Sequence, residues 1–196
     1  MRREESPPNP STDPTIGRAA PASGFDVADA IADVFEATQR VLSMKTLDEP
    51  RVASALLDIA LKMIPAESGT FYLADVNSDE LSFAAVFGPK ADALKKSGLK
   101  VKIGQGIVGF CALEGVCLSV SDIQKDPRYT SSIAKAIGHS PRDTLCASVE
   151  KDGRLFGAIQ LINSPGGFDA GQMEILRYIG LTAASMLERI IDTRVG

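Results

Sequence analysis

Leu99-Lys-Val-Lys-Ile-Gly-Gln-Gly-Ile-Val-Gly-Phe-Cys-Ala112 is the stretch on which the fold turns. Leu99, Val101 and Ile103 alternate with Lys100 and Lys102, the period of a strand with one wet face. Lysines on that face suit a sheet edge, because charge discourages pairing with another chain. Gly104, Gly106 and Gly109 then break the strand and open a short helix through Ala112. The glycine string superficially suggests a phosphate loop. It lacks the lysine of a P-loop, however, and does not have the spacing of a dinucleotide-binding turn. Backbone turning from an edge strand into a short helix accounts for it.

Upstream, Phe71 to Val76 and Leu81 to Phe87 are β-rich runs flanking Asn77-Ser78-Asp79, a hairpin signal. Downstream, Cys117 to Val120 reads as a brief strand. Leu145 to Glu150 and Leu155 to Asn163 form a second hairpin across Asp152-Gly153. Between them, residues 121–143 are long and mixed, with Asp-Pro-Arg-Tyr at 126–129 and a helical turn near Ser132 to Ile137. A connection of that length inside a domain is often a binding lid.

Helices bracket these strands. Asp26 can cap a first helix over 26–43, and Val27, Ile31, Val34, Thr38 and Val41 repeat at the four-three spacing of a coiled-coil seam. After a break at Ser43 to Thr46, Asp48 can cap a second helix. Its broader apolar face is Val52, Leu56, Ile59, Ala60, Met63 and Ile64, and Pro65 stops it. Asp169 and Gln172 make a capping box for a closing helix to 192, whose seam is Leu176, Ile179, Ala183, Met186 and Ile190. Hairpin links imply a mostly antiparallel sheet covered by helices on one face, an α+β domain.

Composition limits what such a domain can do. The chain has 196 residues and a net charge of −4, too acidic for the broad cationic surface that nucleic acid requires. No apolar run approaches the roughly 20 residues that span a bilayer. MRREESPPNP has no apolar stretch after its charges, unlike a secretory signal, so a cytoplasmic protein is expected. Residues 1–24 are rich in Pro, Ser and Thr and poor in large apolar side chains, the composition of a disordered tail. The ordered domain is expected over 25–196, and the proline- and alanine-rich tail suggests a bacterial source. Cys111, Cys117 and Cys146 have no CxxC spacing, and the lone histidine is His139. Three reduced thiols are expected, with no metal site.

The element order and its punctuation resemble the GAF domain family over about residues 30–192. Four features carry the likeness: Ile103-Gly-Gln-Gly-Ile-Val-Gly109, Ser121-Asp-Ile-Gln-Lys-Asp-Pro-Arg-Tyr129, the closing hairpin with Gly157, Ile159, Ile162 and Asn163, and Phe168-Asp169 opening the last helix. The resemblance implies a six-stranded antiparallel sheet with the N- and C-terminal helices on one face. Short helices and loops would roof a pocket on the other.

It further implies a sensory or regulatory module that binds a small molecule, or a ligand-free scaffold for a signalling partner. Candidate polar anchors are Asp122, Arg128 and Tyr129, although Asp126 and Arg128 could equally pin their own loop. Phe87, Ile107, Val108 and Ile133 would be apolar walls or merely core. Cyclic-nucleotide binders of the family carry Asn-Lys, then Phe, then Asp-Glu; here Asn163 and Phe168 match, but Ser164, Gln172 and Met173 replace the charged residues. Bilin attachment through Cys-His has no counterpart, and the sequence assigns no cofactor. One GAF-like family reduces methionine sulfoxide with paired thiols. Cys111 and Cys146 could both face the pocket, but that family's surrounding motifs do not match, so no catalytic residue is expected. Family members pair through their terminal helices, making Val27, Ile31, Val34, Val41, Leu176, Ile179, Ala183, Met186 and Ile190 candidates for a homodimer interface. The alternative is that both stripes are used on the chain's own sheet.

Overall fold

A computed structural model describes residues 27–44 and 47–195. The expected tail over 1–24, the Asp26 cap and part of the break at Ser43 to Thr46 lie outside the described residues.

The two faces of the sheet are set by alternation along the strands. On β1 (Ser68–Asp75), Phe71 faces one cluster of buried side chains and Tyr72 the other. On β5 (Thr144–Lys151), Leu145, Ala147 and Val149 face the first cluster and Cys146 the second. With β2 (Glu80–Phe87), β3 (Lys100–Lys102), β4 (Cys117–Val120) and β6 (Arg154–Ile162), the strands form one antiparallel sheet. Its order is β3-β2-β1-β6-β5-β4, so the lysine-bearing strand is an edge, as its alternation required. Asp152 and Gly153 both have positive φ, 51° and 77°, and turn the β5–β6 hairpin in two residues.

One face carries the long helices. In α2 (Glu49–Met63), the Asp48 side chain accepts a hydrogen bond from the Arg51 amide at 2.9 Å. In α6 (Ala170–Val195), Asp169 and Gln172 exchange the reciprocal bonds of a capping box at 2.8 and 3.1 Å. These two helices lie on the sheet, whereas α1 (Val27–Leu42) packs mainly on α6 and α2 as a second layer. That layering uses the apolar stripes. Val34, Leu176, Ile179 and Ala183 are fully buried in this core, Val41 and Met186 nearly so, and Ile190 packs against it. The first six are therefore closed to a second chain in this arrangement. Val27 and Ile31 are half-buried. The large apolar side chains that these two helices leave outside are Phe35 and Leu181.

The other face is roofed by α3 (Ala91–Ser97), α4 (Gly106–Glu114), a 3₁₀ turn at Ile123–Lys125 and α5 (Ser132–Ala136). The short helix α3 was not expected from the sequence. It has seven residues and buries none of them, so it leaves no periodic apolar stripe to read. Two close approaches explain glycines that the fold cannot replace. A Cβ on Gly109 would lie 2.5 Å from the Lys102 carbonyl oxygen, where α4 presses on β3. A Cβ on Gly157 would lie 2.0 Å from the Tyr72 carbonyl oxygen, at the β1–β6 pair in the middle of the sheet. Gly157→Ala should lower the unfolding free energy by about 3 kcal/mol, because backbone rather than a movable side chain stands in the way. Thermal and urea unfolding measure this directly; an unchanged midpoint would contradict the close packing described.

Candidate functional site

Between this second face and its roof lies a cavity of about 890 Å³, counting its open mouth. The floor comes from the sheet: Thr70 and Tyr72 of β1, Phe83 and Val86 of β2, Gln160 and Ile162 of β6. α4 contributes Ile107 and Val108, α3 contributes Ala91 and Leu94, and the 121–143 segment closes over the top with Tyr129, Ile133 and Ile137. The walls are predominantly apolar.

The polar groups of the floor largely satisfy one another. The Tyr72 hydroxyl donates to Gln160 Oε1 at 3.1 Å, and Gln160 Nε2 donates to Thr144 Oγ1 at 3.2 Å. Thr144 passes its own proton to the Leu161 carbonyl at 2.8 Å. Burial pushes the Tyr72 phenol well above its ordinary range, so it remains a neutral donor. Its ring packs at a tilt against Phe83, with centroids 5.0 Å apart.

Two polar clamps hold the roof. In the first, Asn163 sits at the end of β6 with φ of 61°. Its Nδ2 donates to Glu67 Oε2 at 2.6 Å, and its Oδ1 accepts from the Arg142 amide at 2.8 Å. His139 Nε2 approaches the other Glu67 oxygen at 3.4 Å. The Asn163 bond, with help from His139 and against desolvation, holds the Glu67 carboxyl below its ordinary value. In the second clamp, Arg128 makes a fork to Asp126, with Nε to Oδ1 at 2.9 Å and Nη2 to Oδ2 at 2.6 Å. Its guanidinium lies 4.7 Å from the centre of the Phe110 ring on α4. The Arg128 hydrogen bond lowers the Asp126 pKa.

The sequence candidates therefore separate. Phe87, Ile107, Val108, Tyr129 and Ile133 line the cavity together. Asp122 and Arg128 do not: Asp122 pairs with Lys125 at 2.8 Å on the surface, and Arg128 pins its own loop. Cys111 and Cys146 lie on the cavity's side of the sheet but are sealed beneath α4, with Cys111 Sγ 3.8 Å from the Cys146 carbonyl oxygen. Burial, and then Cys111, pushes the Cys146 thiol far up. Cys117 is pushed up to about 12, mainly by burial. Sequence reasoning missed Lys90, Gln160, Tyr72 and the Glu67–His139–Asn163 clamp. Gln160 could have been found, since it stands on the Ala158 side of β6 and is polar on an otherwise apolar face. Lys90 and the clamp join residues far apart in the chain and left no local signal.

This arrangement, a roofed cavity on one face of a six-stranded antiparallel sheet and long helices on the other, defines the class of fold, an α+β domain with the helices segregated to one face. The chain belongs to the GAF domain family, whose profile matches residues 46–188. The GAF domain of a phosphoenolpyruvate-protein phosphotransferase from Coxiella burnetii shares the fold with a TM-score of 0.75 at 14% identity, over 88% of this chain and 100% of that one. A free methionine-R-sulfoxide reductase from Neisseria meningitidis, solved with its substrate, gives 0.69 at 19% identity, over 87% and 96%. In sequence, the dual 3′,5′-cyclic-AMP and -GMP phosphodiesterase 11A of Takifugu rubripes is 25% identical over 124 residues, 60% of this chain and 14% of that protein. Among the described residues, no helix is long and apolar enough to cross a membrane.

The clamps and the thiols each predict an observable. A carboxylate whose pKa falls on folding stabilises the fold above its unfolded value and loses that contribution as pH drops through the folded one. Hydrogen exchange across 121–143, taken relative to the intrinsic amide rate at each pH, should therefore be steady near neutrality and quicken as pH falls below 4.5 for Glu67 and below 3.8 for Asp126, towards their lowered pKa values. Asp126→Asn and Glu67→Gln should each quicken it at neutral pH. A thiol reagent at mildly alkaline pH should leave the three native cysteines unlabelled and label all three after unfolding.

Proposed function

We propose that this domain is a sensory or regulatory module whose cavity receives a small molecule, and that it binds rather than catalyses. The observation that carries this reading is a roofed apolar cavity: among the described residues its wall holds no cysteine and no carboxylate, and the Ser68 and His139 that line it share no hydrogen bond. Among the described residues, the ionisable groups in that wall are Lys90, His139, Tyr72 and Tyr129. Tyr72 is held neutral, and His139 is turned to Glu67. His139 does have a carboxylate partner, but Asn163 holds that same carboxylate, and the trio fastens the roof rather than serving as an acid–base pair. The Neisseria protein shows that an enzyme can be built on this fold, but here Cys111 and Cys146 are buried and burial pushes the Cys146 and Cys117 thiols up, a poor setting for thiol chemistry.

The Takifugu relative is named for cyclic nucleotides. In this chain Asn163 is engaged by Glu67 and the Arg142 amide, and the neighbouring Ser164 is buried with its amide on Asp143 Oδ1 at 2.8 Å. Those residues tie the roof to the sheet, so the reading favours a different ligand.

A second reading, a docking or homodimerising scaffold, draws on Phe35, 52% exposed on α1, and Leu181, 47% exposed on α6. These side chains, rather than the buried stripes, would carry such an interface.

Native mass spectrometry of protein purified from its own host separates the two readings. A single metabolite bound one-to-one, and lost when Val108→Trp fills the cavity without altering the circular dichroism, is the expected result. Ligand-free protein that light scattering shows as a stable dimer, sensitive to Phe35→Ser or Leu181→Ser, would replace the first reading with the second.

A further inference from the structure

Resting on that reading of the cavity, we infer that its ligand is an amphiphilic anion: a compact apolar body carrying one acidic head group, with the anion held by Lys90. The charge in the wall is one-sided. Among the described residues, no aspartate or glutamate lines the cavity, while Lys90 and His139 do. His139 already faces a carboxylate, that of Glu67, which Asn163 also holds. Lys90 has no such partner: among the described residues, no carboxylate lies within ion-pair distance of its ammonium. It is half-buried at the junction of β2 and α3, immediately before Ala91, which with Leu94 forms that side of the wall.

Its surroundings share its sign. Lys95 and Lys96 are exposed on α3 and are likewise without an ion pair among the described residues. The acid on α3 is Asp92, exposed and outside the wall. In a chain of net charge −4, this local reversal of sign attracts anions to the mouth. The other half of the ligand follows from Phe83, Phe87, Leu94, Val108, Ile133 and Ile162, which offer an aromatic or branched body an apolar bed. A neutral ligand filling that bed would strip water from Lys90 and return nothing, and a cationic one would meet it with no acid to compensate. An anion replaces the lost water with a charge-assisted hydrogen bond.

Naphthoate, naphthamide and naphthylmethylammonium have similar bodies and heads of different charge, so calorimetric titration of the full chain with all three tests the inference. Naphthoate should bind about tenfold more tightly than naphthamide, the advantage expected of one charge-assisted bond, and the ammonium should not register. Lys90→Gln should reduce naphthoate to the affinity of naphthamide, and Lys90→Arg should restore the difference. Equal binding of naphthoate and naphthamide, unaffected by Lys90→Gln, would overturn the inference while leaving the cavity a ligand site. Failure of all three probes to bind would overturn both.

Discussion

The pairing of β1 with β6 is the contact from which the rest of this molecule is built. Both strands are central, and both are apolar on each face, so neither face of the sheet can be left to water. Gly157 lets the two backbones approach where any side chain would strike the Tyr72 carbonyl oxygen. Two coverings are then required. The helix-bearing face is covered by long elements with broad apolar surfaces. The other face receives short helices and a loop, and short elements cannot fill the space above the strands completely. The cavity is what remains.

The same constraint explains which parts of the structure could be read in advance. Strands were legible from local signals: Leu99, Val101 and Ile103 alternate with Lys100 and Lys102, and Asp152-Gly153 marks the turn between β5 and β6. Caps were legible for the same reason, as at Asp48 and Asp169. The stripes on α1 and α6 were legible as stripes but not as to their partner. A four-three spacing records that a helix faces something narrow, and an α1 mounted on α2 and α6 supplies that surface within one chain. Position along a strand was also hidden. Cys146 stands on the cavity's side of the sheet, yet at the β5 end, where α4 lies flat upon it, rather than over β1 and β2 where the space opens.

The roof shows what kind of bond holds a short covering in place. α5 buries no residue, and the segment around it is fastened at Asp126–Arg128 and at Glu67–His139–Asn163. Charged and polar clamps of this kind are directional, titrate with acid and are screened by salt, whereas apolar packing carries no charge to titrate or screen. Asn163, at the end of the last strand, thus acts as a fastener between sheet and roof. A ligand that displaced the roof would act first on the ends of β1 and β6, the strands whose other face supports α2 and α6.

The unfilled space above the strands also has a mechanical meaning. Unfolding removes internal voids, so whatever part of that space is too closed to admit water leaves the folded chain larger in volume than the unfolded one, and compression then favours the disordered form. Whatever molecule fills the cavity removes part of that volume difference. A ligand that bound there would stabilise the folded form and lessen its sensitivity to compression.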